Sequence, residues 1–279
     1  MSDASSKPDR YAVMGHPIEH SWSPFIHGMF ARQTGQNLTY RLMDVPPEKF
    51  RAAALEFFTG GGRGLNITVP HKPAAAEFVN RLTARAETAG AVNTILVEPN
   101  GELMGDNTDG IGLITDLTAN LGLKIAGLRI LILGAGGATR GVLGPLLDAR
   151  PATLTIANRT PERAAELVEE FAKPGTLSGC AFDAISEEEP WDLIVNATSA
   201  SLKGTIPDIS ASLITAETLC YDMAYGKGDT SFTGWAREQG ATRTVKGWGM
   251  LVEQAAESFH LWRGIRPDTK LVLAALQAT

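Results

Sequence analysis

Short aliphatic and β-branched runs alternate with stretches of helical periodicity along most of the chain, and this rhythm restricts the fold more than any other feature. Residues 11–14, 38–45 and 65–69 read as strands, rich in Val, Ile, Thr and Tyr. Residues 24–32, 46–58 and 73–84 read as helices, the first with Ser23 as N-cap and Pro24 at its opening position. Strands separated by helical crossovers pair in parallel, so an α/β fold with a mostly parallel sheet is expected. Asn100-Gly101, between two apolar segments, is a hairpin signal and interrupts the rhythm. A helix over 110–122 follows, and the alternation restarts at residue 128. Strands are expected over 128–133 and 152–158 and within 191–199, 219–225 and 241–245, with helices over 137–149, 161–172 and 250–262. At 279 residues the chain has the length of two domains. The restarted rhythm puts the boundaries near residues 110 and 246.

The second block opens on "LRILILGAGGATR", with Gly134, Gly136 and Gly137 directly after a strand and at the head of a helix. Glycine is needed there because a Cβ would block the tight turn and the approach of backbone N–H groups to a pyrophosphate. Thr139 occupies the third glycine position of the usual spacing. The next strand ends in Asn158, Arg159 and Thr160, with Arg163 one turn later. An NAD site would place a carboxylate there for the ribose 2′-OH. Arginine instead suits a 2′-phosphate through charge-assisted bonds, so NADP is expected.

In the first block, "LNITVPHK" ends a strand with Pro70, which cannot donate to a ladder, and sets Lys72 just past the strand's carboxyl end. Ligands of open α/β sheets bind at that edge. "GDNTDG" carries Asp106 and Asp109, but lacks the spacing of a calcium loop. In "HSWSP", capping accounts for Ser23 and leaves Ser21 over; two hydroxyls beside a helix start also suit a carboxylate.

Composition narrows the remaining classes. Net charge is −6 and there is no lysine/arginine block, so nucleic acid is not an expected partner. Cys180 and Cys220 form neither a disulfide framework nor a metal set, and no metal is expected. The polar start MSDASSKPDR reads as neither leader nor anchor, and no apolar run reaches the length of a membrane span. A cytoplasmic protein is expected.

Taken together, "YAVMGHPIEHSWSP", "GLNITVPHK", "AGAVNT", "GDNTDG", "ILGAGGATRG", "ANRT", "VNATS", "YDMAY" and "GMLVEQAA" make the chain resemble the shikimate dehydrogenase family from end to end. The resemblance implies an NADP-binding Rossmann-like domain, 111–246, inserted in a substrate domain formed by 1–110 and 247–279. It implies reduction of 3-dehydroshikimate to shikimate with NADPH, on the route to chorismate and the aromatic amino acids, and a monomer or homodimer. The catalytic pair would be Lys72 and Asp109. Substrate ligands would be Ser21, Ser23, Asn66, Thr68, Asn93, Tyr225 and Gln254. Cofactor ligands would be Gly134, Ala135, Gly136, Gly137, Ala138, Asn158, Arg159, Thr160, Arg163, Thr198, Met223 and Gly247. Trp22, Lys246 and Trp248 depart from the family's usual residues, the last two beside Gly247. Looser specificity that includes quinate, or a catalytically idle sensor, are the alternatives; retention of Lys72 and Asp109 argues against the sensor.

Overall fold

The computed structural model describes residues 7–171 and 175–277. Residues 1–6 of the polar N-terminal stretch and Ala172, the expected end of a helix, lie outside them. The chain divides into two compact units: Met1–Asp109 with Val252–Ala275, and Gly110–Leu251 with Leu276–Thr279.

The first unit is a six-stranded mixed sheet. Its strands are β1 (Asp9–Gly15), β2 (Leu38–Asp44), β3 (Gly62–Ile67), β4 (Arg81–Leu82), β5 (Thr94–Val97) and β6 (Leu103–Asp106), in the order β2-β1-β3-β5-β6-β4. β1 pairs in parallel with β2 and β3; β5 pairs antiparallel with β3 and with β6. The β5–β6 hairpin turns at Asn100-Gly101, where Gly101 takes φ +85°. Helices α1 (Ser23–Thr34) and α2 (Phe50–Thr59) make the crossovers. Ala12, Met14, Phe50, Ala54, Phe57, Leu65, Ile67 and Ile95 form part of one buried cluster.

Two local expectations change. The helix expected over 73–84 is two short ones, α3 (Lys72–Phe78) and α4 (Ala84–Ala89), because Arg81–Leu82 pair with Met104–Gly105 as β4. Thr83 caps α4, its Oγ1 accepting from the Ala86 N–H at 3.3 Å. Ser23 is also not the cap of α1. It lies inside the helix, and Oγ of Ser21 accepts from its N–H at 3.3 Å.

The second unit follows from α5 (Asp109–Thr115), which continues as a π-helical turn over Asp116–Asn120. Its sheet is entirely parallel: β7 (Arg129–Leu133), β8 (Thr153–Ala157), β9 (Leu177–Cys180), β10 (Leu193–Asn196), β11 (Leu219–Asp222) and β12 (Arg243–Lys246), in the order β12-β11-β10-β7-β8-β9. That order reverses between β7 and β10, as in doubly wound nucleotide-binding sheets. Helices α6 (Gly137–Asp148), α7 (Pro161–Phe171) and α8 (Ser231–Glu238) follow β7, β8 and β11. Aliphatic side chains of β7 pack on both faces, Ile130 and Ile132 in one cluster and Leu131 and Leu133 in another. A strand buried on both sides reads as a continuous apolar run for this reason. The helices α9 (Trp248–Arg263) and α10 (Thr269–Gln277) complete the chain. Among the described residues, no helix is long and apolar enough to cross a membrane.

Candidate active site

Lys72 is the first residue of α3, four positions after Thr68 leaves the carboxyl end of β3. Its Nζ donates to Oδ2 of Asp109, the residue that opens α5. The lysine side chain is 21% exposed and the aspartate 9%, so the ammonium is reachable while its partner is nearly buried. The other carboxylate oxygen, Oδ1, accepts from Nδ2 of Asn93 at 2.8 Å. Backbone bonds hold the frame: Val92 N–H donates to the Lys72 carbonyl at 2.9 Å, and Asp109 N–H to Oδ1 of Asn107 at 3.1 Å.

Asn93 is buried and fully engaged. Its Oδ1 accepts from Thr108 N–H, Thr108 Oγ1 and Thr94 Oγ1, and its Nδ2 also reaches Gln254 Oε1 at 3.4 Å. Asn66 is equally saturated. Its Oδ1 accepts from the Tyr40 hydroxyl at 2.8 Å, and its Nδ2 faces the Asn93 carbonyl, Thr94 Oγ1 and Ser258 Oγ at 3.0–3.2 Å. Saturated buried amides of this kind rigidify a site.

Ser21 and Ser23 follow the carboxyl end of β1, the strand beside β3. Ser21 Oγ lies 3.2 Å from Ser23 Oγ. Burial raises the Tyr40 hydroxyl well above its ordinary range, and a hydrogen bond with Ser23 partly offsets this. Thr68 is half-buried, its backbone N–H bonded to the Met14 carbonyl at 3.0 Å. Six of the seven expected substrate ligands, with Lys72 and Asp109, therefore belong to the first unit, while Tyr225 belongs to the second. Asp106 separates from Asp109 in role. Burial acts to raise its pKa, but the Arg85 guanidinium, bonding both carboxylate oxygens at 2.6–2.7 Å, and Thr83 bring it below the usual range.

Tyr40, Thr94, Thr108, Asn107 and Ser258 were not expected from sequence. Ser258 is 192 positions from Asn66, and no local pattern links the two.

In the second unit, Gly134 leaves β7 at φ +103°, a region that L side chains rarely adopt, and an added Cβ would meet Thr198 Cγ2 at 3.0 Å. Thr198 follows β10, so the glycine turn sits where the strand order reverses. Gly136 caps α6 without a side-chain hydrogen bond, and open space surrounds the missing Cβ of both Gly136 and Gly137. Thr139 explains the departure from three glycines: its buried Oγ1 donates to the Gly134 carbonyl at 2.7 Å and ties the turn to the helix. Asn158 supports the same turn, its Oδ1 accepting from Ala135 N–H at 3.2 Å and its Nδ2 donating to the Thr160 carbonyl at 2.8 Å. Arg159 and Arg163 are exposed, and neither guanidinium pairs with a carboxylate among the described residues. Met223 N–H donates to the Asn196 carbonyl at 3.0 Å. Gly247 packs so closely on the Met223 carbonyl that no Cβ fits. An uncapped helix start, an open glycine turn and two unpaired guanidinium groups fit a dinucleotide carrying an extra phosphate. Among the described residues, no cluster of three His, Cys, Asp or Glu could hold a metal.

Three family models match the chain: "Shikimate dehydrogenase substrate binding domain" over residues 13–95, "Shikimate / quinate 5-dehydrogenase" over 116–207, and "Shikimate 5'-dehydrogenase C-terminal domain" over 247–277. The chain is 53% identical over 273 residues to a shikimate dehydrogenase (NADP(+)) of Methylococcus capsulatus, covering 98% of each protein. Its fold matches an Ael1 enzyme from Pseudomonas putida with a TM-score of 0.91 at 46% identity, over 96% of this chain and 98% of that one. It matches the shikimate 5-dehydrogenase of Thermus thermophilus, solved with NADP(H) and shikimate, with a TM-score of 0.84 at 34% identity, over 97% and 99%. With the Lys72–Asp109 pair at one sheet edge and the glycine turn at the other sheet's reversal, the chain belongs to the shikimate dehydrogenase family.

Proposed function

We propose that this chain catalyses the NADPH-dependent, reversible reduction of 3-dehydroshikimate to shikimate, with Lys72 and Asp109 as its proton-handling pair. The observation that carries the reading is the ammonium of Lys72 bonded to a carboxylate whose other oxygen is already held by Asn93. Ala135, Gly136, Gly137 and Ala138, with Gly134 shaping the turn, would hold the pyrophosphate. Asn158, Arg159, Thr160 and Arg163 would hold the phosphorylated ribose, and Thr198, Met223 and Gly247 the rest of the cofactor. Bound NADPH supplies the hydride equivalent that turns a ring carbonyl into an alcohol.

The chain's own part is the proton. As the carbonyl oxygen gains electron density, the Lys72 ammonium donates a hydrogen bond and then the proton, leaving a neutral amine that solvent reprotonates. Asp109 accepts from Lys72 and so aims the ammonium; Asn93 fixes Asp109. In the oxidative direction the neutral amine removes the hydroxyl proton. Ser21 and Ser23 offer hydroxyls to the substrate carboxylate beside the start of α1, and Thr68, Gln254 and Tyr225 offer groups to the ring hydroxyls. Asn66 and Asn93 are saturated by protein partners. They reach substrate by exchanging one of those bonds, and otherwise hold the neighbouring groups in place.

The description "Shikimate / quinate 5-dehydrogenase" keeps quinate as a second substrate to test. NADPH-dependent biosynthetic chemistry also agrees with a cytoplasmic setting. The deciding experiment follows reduced-cofactor absorbance with purified protein, shikimate or quinate, and NADP⁺ or NAD⁺. Shikimate with NADP⁺ is expected to give the highest kcat/KM. No turnover of shikimate with either cofactor would overturn the assignment.

A further inference from the structure

Lys246, the last residue of β12, and the two residues after it grip the loop that carries Tyr225. Lys246 sends its Nζ to two backbone carbonyls, Gly226 at 3.1 Å and Gly228 at 2.6 Å. Gly247 N–H donates to the Ala224 carbonyl at 3.0 Å. Trp248, buried, lays its indole beside the Tyr225 ring with centroids 4.8 Å apart. The foot of the same loop is closed by the buried Asp222 carboxylate, which accepts from Ala224 N–H at 3.0 Å and from Thr230 Oγ1 at 2.6 Å. Between these fixed ends lie Tyr225, Gly226, Lys227, Gly228 and Asp229, the last ion-paired with Arg237. Two glycines, one of them at φ +69°, give this stretch much backbone freedom to lose. Lys246 is the side chain that spans it.

The Tyr225 hydroxyl donates to no protein group among the described residues, and burial of the ring raises its pKa. Its ring is packed and its loop is tied, so the oxygen is held ready for an outside partner. A lysine that spends its donors on main-chain carbonyls works as a strut for the loop.

We infer that Lys246 is a positioning residue for substrate, acting through Tyr225 by tying the Gly226–Gly228 turn. This rests on the reading of Tyr225 as a substrate ligand. The cofactor-side residues Met223 and Gly247 keep their own backbone bonds to Asn196 and Ala224 when Lys246 is changed, so cofactor affinity is outside its reach.

The test is a double-mutant cycle on kcat, KM for shikimate, the Kd for NADPH from fluorescence, and the Tm. Lys246→Met should raise KM for shikimate about 5- to 30-fold, the reciprocal of the remaining fraction of competent loop. Its kcat, NADPH affinity and Tm should stay near the parent values. Lys246→Arg, which keeps donors for both carbonyls, should recover much of the KM. In a Tyr225→Phe background, Lys246→Met should change KM by no more than about twofold, because coupled residues are non-additive. Equal KM rises in both backgrounds, or a parallel loss of NADPH affinity and Tm, would overturn the inference. If Tyr225→Phe alone leaves KM for shikimate unchanged, the premise that Tyr225 binds substrate fails. If Tyr225→Phe raises KM and Lys246→Met does not, only the strut fails.

Discussion

The Asp109 carboxylate is divided between two donors, Oδ2 taking the Lys72 ammonium and Oδ1 the Asn93 amide at 2.8 Å. A carboxylate bonded on both oxygens cannot turn, and the ammonium it holds is the more exposed partner. Orientation of a proton donor is worth more to a reaction than its presence alone.

Lys72→Ala is therefore expected to lower kcat by at least about 10²-fold, with a smaller change in KM for shikimate. The two residues act as one unit, so Lys72→Ala/Asp109→Ala should be little slower than the slower single variant. Steady-state kinetics of the three variants decide it. A Lys72→Ala enzyme with near-parental kcat, or fully multiplicative losses in the double variant, would contradict the shared role.

Much of this architecture is readable from local pattern, because parallel strands buried on both faces leave continuous aliphatic runs such as Ile130–Leu133. The hairpin at Asn100-Gly101 is readable for a similar reason, since its turn demands positive φ. The elements that escaped are those decided by partners distant in sequence. Leu177–Cys180 has no β-branched residue, and becomes β9 by pairing with Leu154–Ala157. Arg81–Leu82 leaves an alanine-rich helical pattern only because β6 offers an edge. α8 and α10 are exceptions, encoded locally: α8 opens on a Thr230–Thr233 capping box, in which threonine stands where the usual pattern has Glu or Gln. At the candidate site the same division holds. Lys72, Asp109 and the glycine turn sit in short motifs, whereas Tyr40 and Ser258 join Asn66 across 26 and 192 positions.

Arg159 is exposed at the end of β8 with no carboxylate partner among the described residues, so its charge is free for an anion. Charge-assisted bonds to a 2′-phosphate are worth roughly 1.5–3 kcal/mol, or one to two decades of affinity. Arg159→Ala should lower kcat/KM for shikimate oxidation about 10- to 100-fold with NADP⁺ and leave the value with NAD⁺ nearly unchanged. Equal losses with both cofactors would mean that Arg159 does not read the phosphate.

Gly249 faces the Asp116 carboxylate so closely that a methyl group cannot enter unless Asp116 moves. Asp116 is buried and accepts from the Tyr221 hydroxyl at 2.7 Å and from Asn120 Nδ2 at 2.9 Å. Gly249→Ala should thus cost about 1–3 kcal/mol of stability by overpacking, measured by urea unfolding. The gain in helix propensity from glycine to alanine is about 1 kcal/mol and has the opposite sign. A variant as stable as the parent, or more stable, would show that Asp116 gives way at little cost.

His27 is 1% exposed, stacked on the Tyr40 ring at 4.3 Å and flanked by Phe30, Phe259 and Trp262. Neither ring nitrogen has a hydrogen-bond partner among the described residues. Burial lowers its pKa from 6.5 to about 3, with the neighbouring Asn66 opposing this. The unfolded chain therefore binds a proton at this residue that the folded chain refuses. The folded state is unaffected by His27 above pH 6.5, and loses stability as pH falls from 6.5 toward 3. At pH 5 the loss is about 2 kcal/mol, from 1.36 kcal/mol per unit over the interval between 6.5 and 5. His27→Phe keeps an aromatic ring in the stack and removes two unsatisfied polar atoms, so its stability at pH 7.5 should match or exceed the parent's. Its urea-unfolding free energy should fall by about 2 kcal/mol less than the parent's between pH 7.5 and 5. Parallel losses in the two proteins would show that His27 takes up its proton in the folded state and is not held neutral by burial.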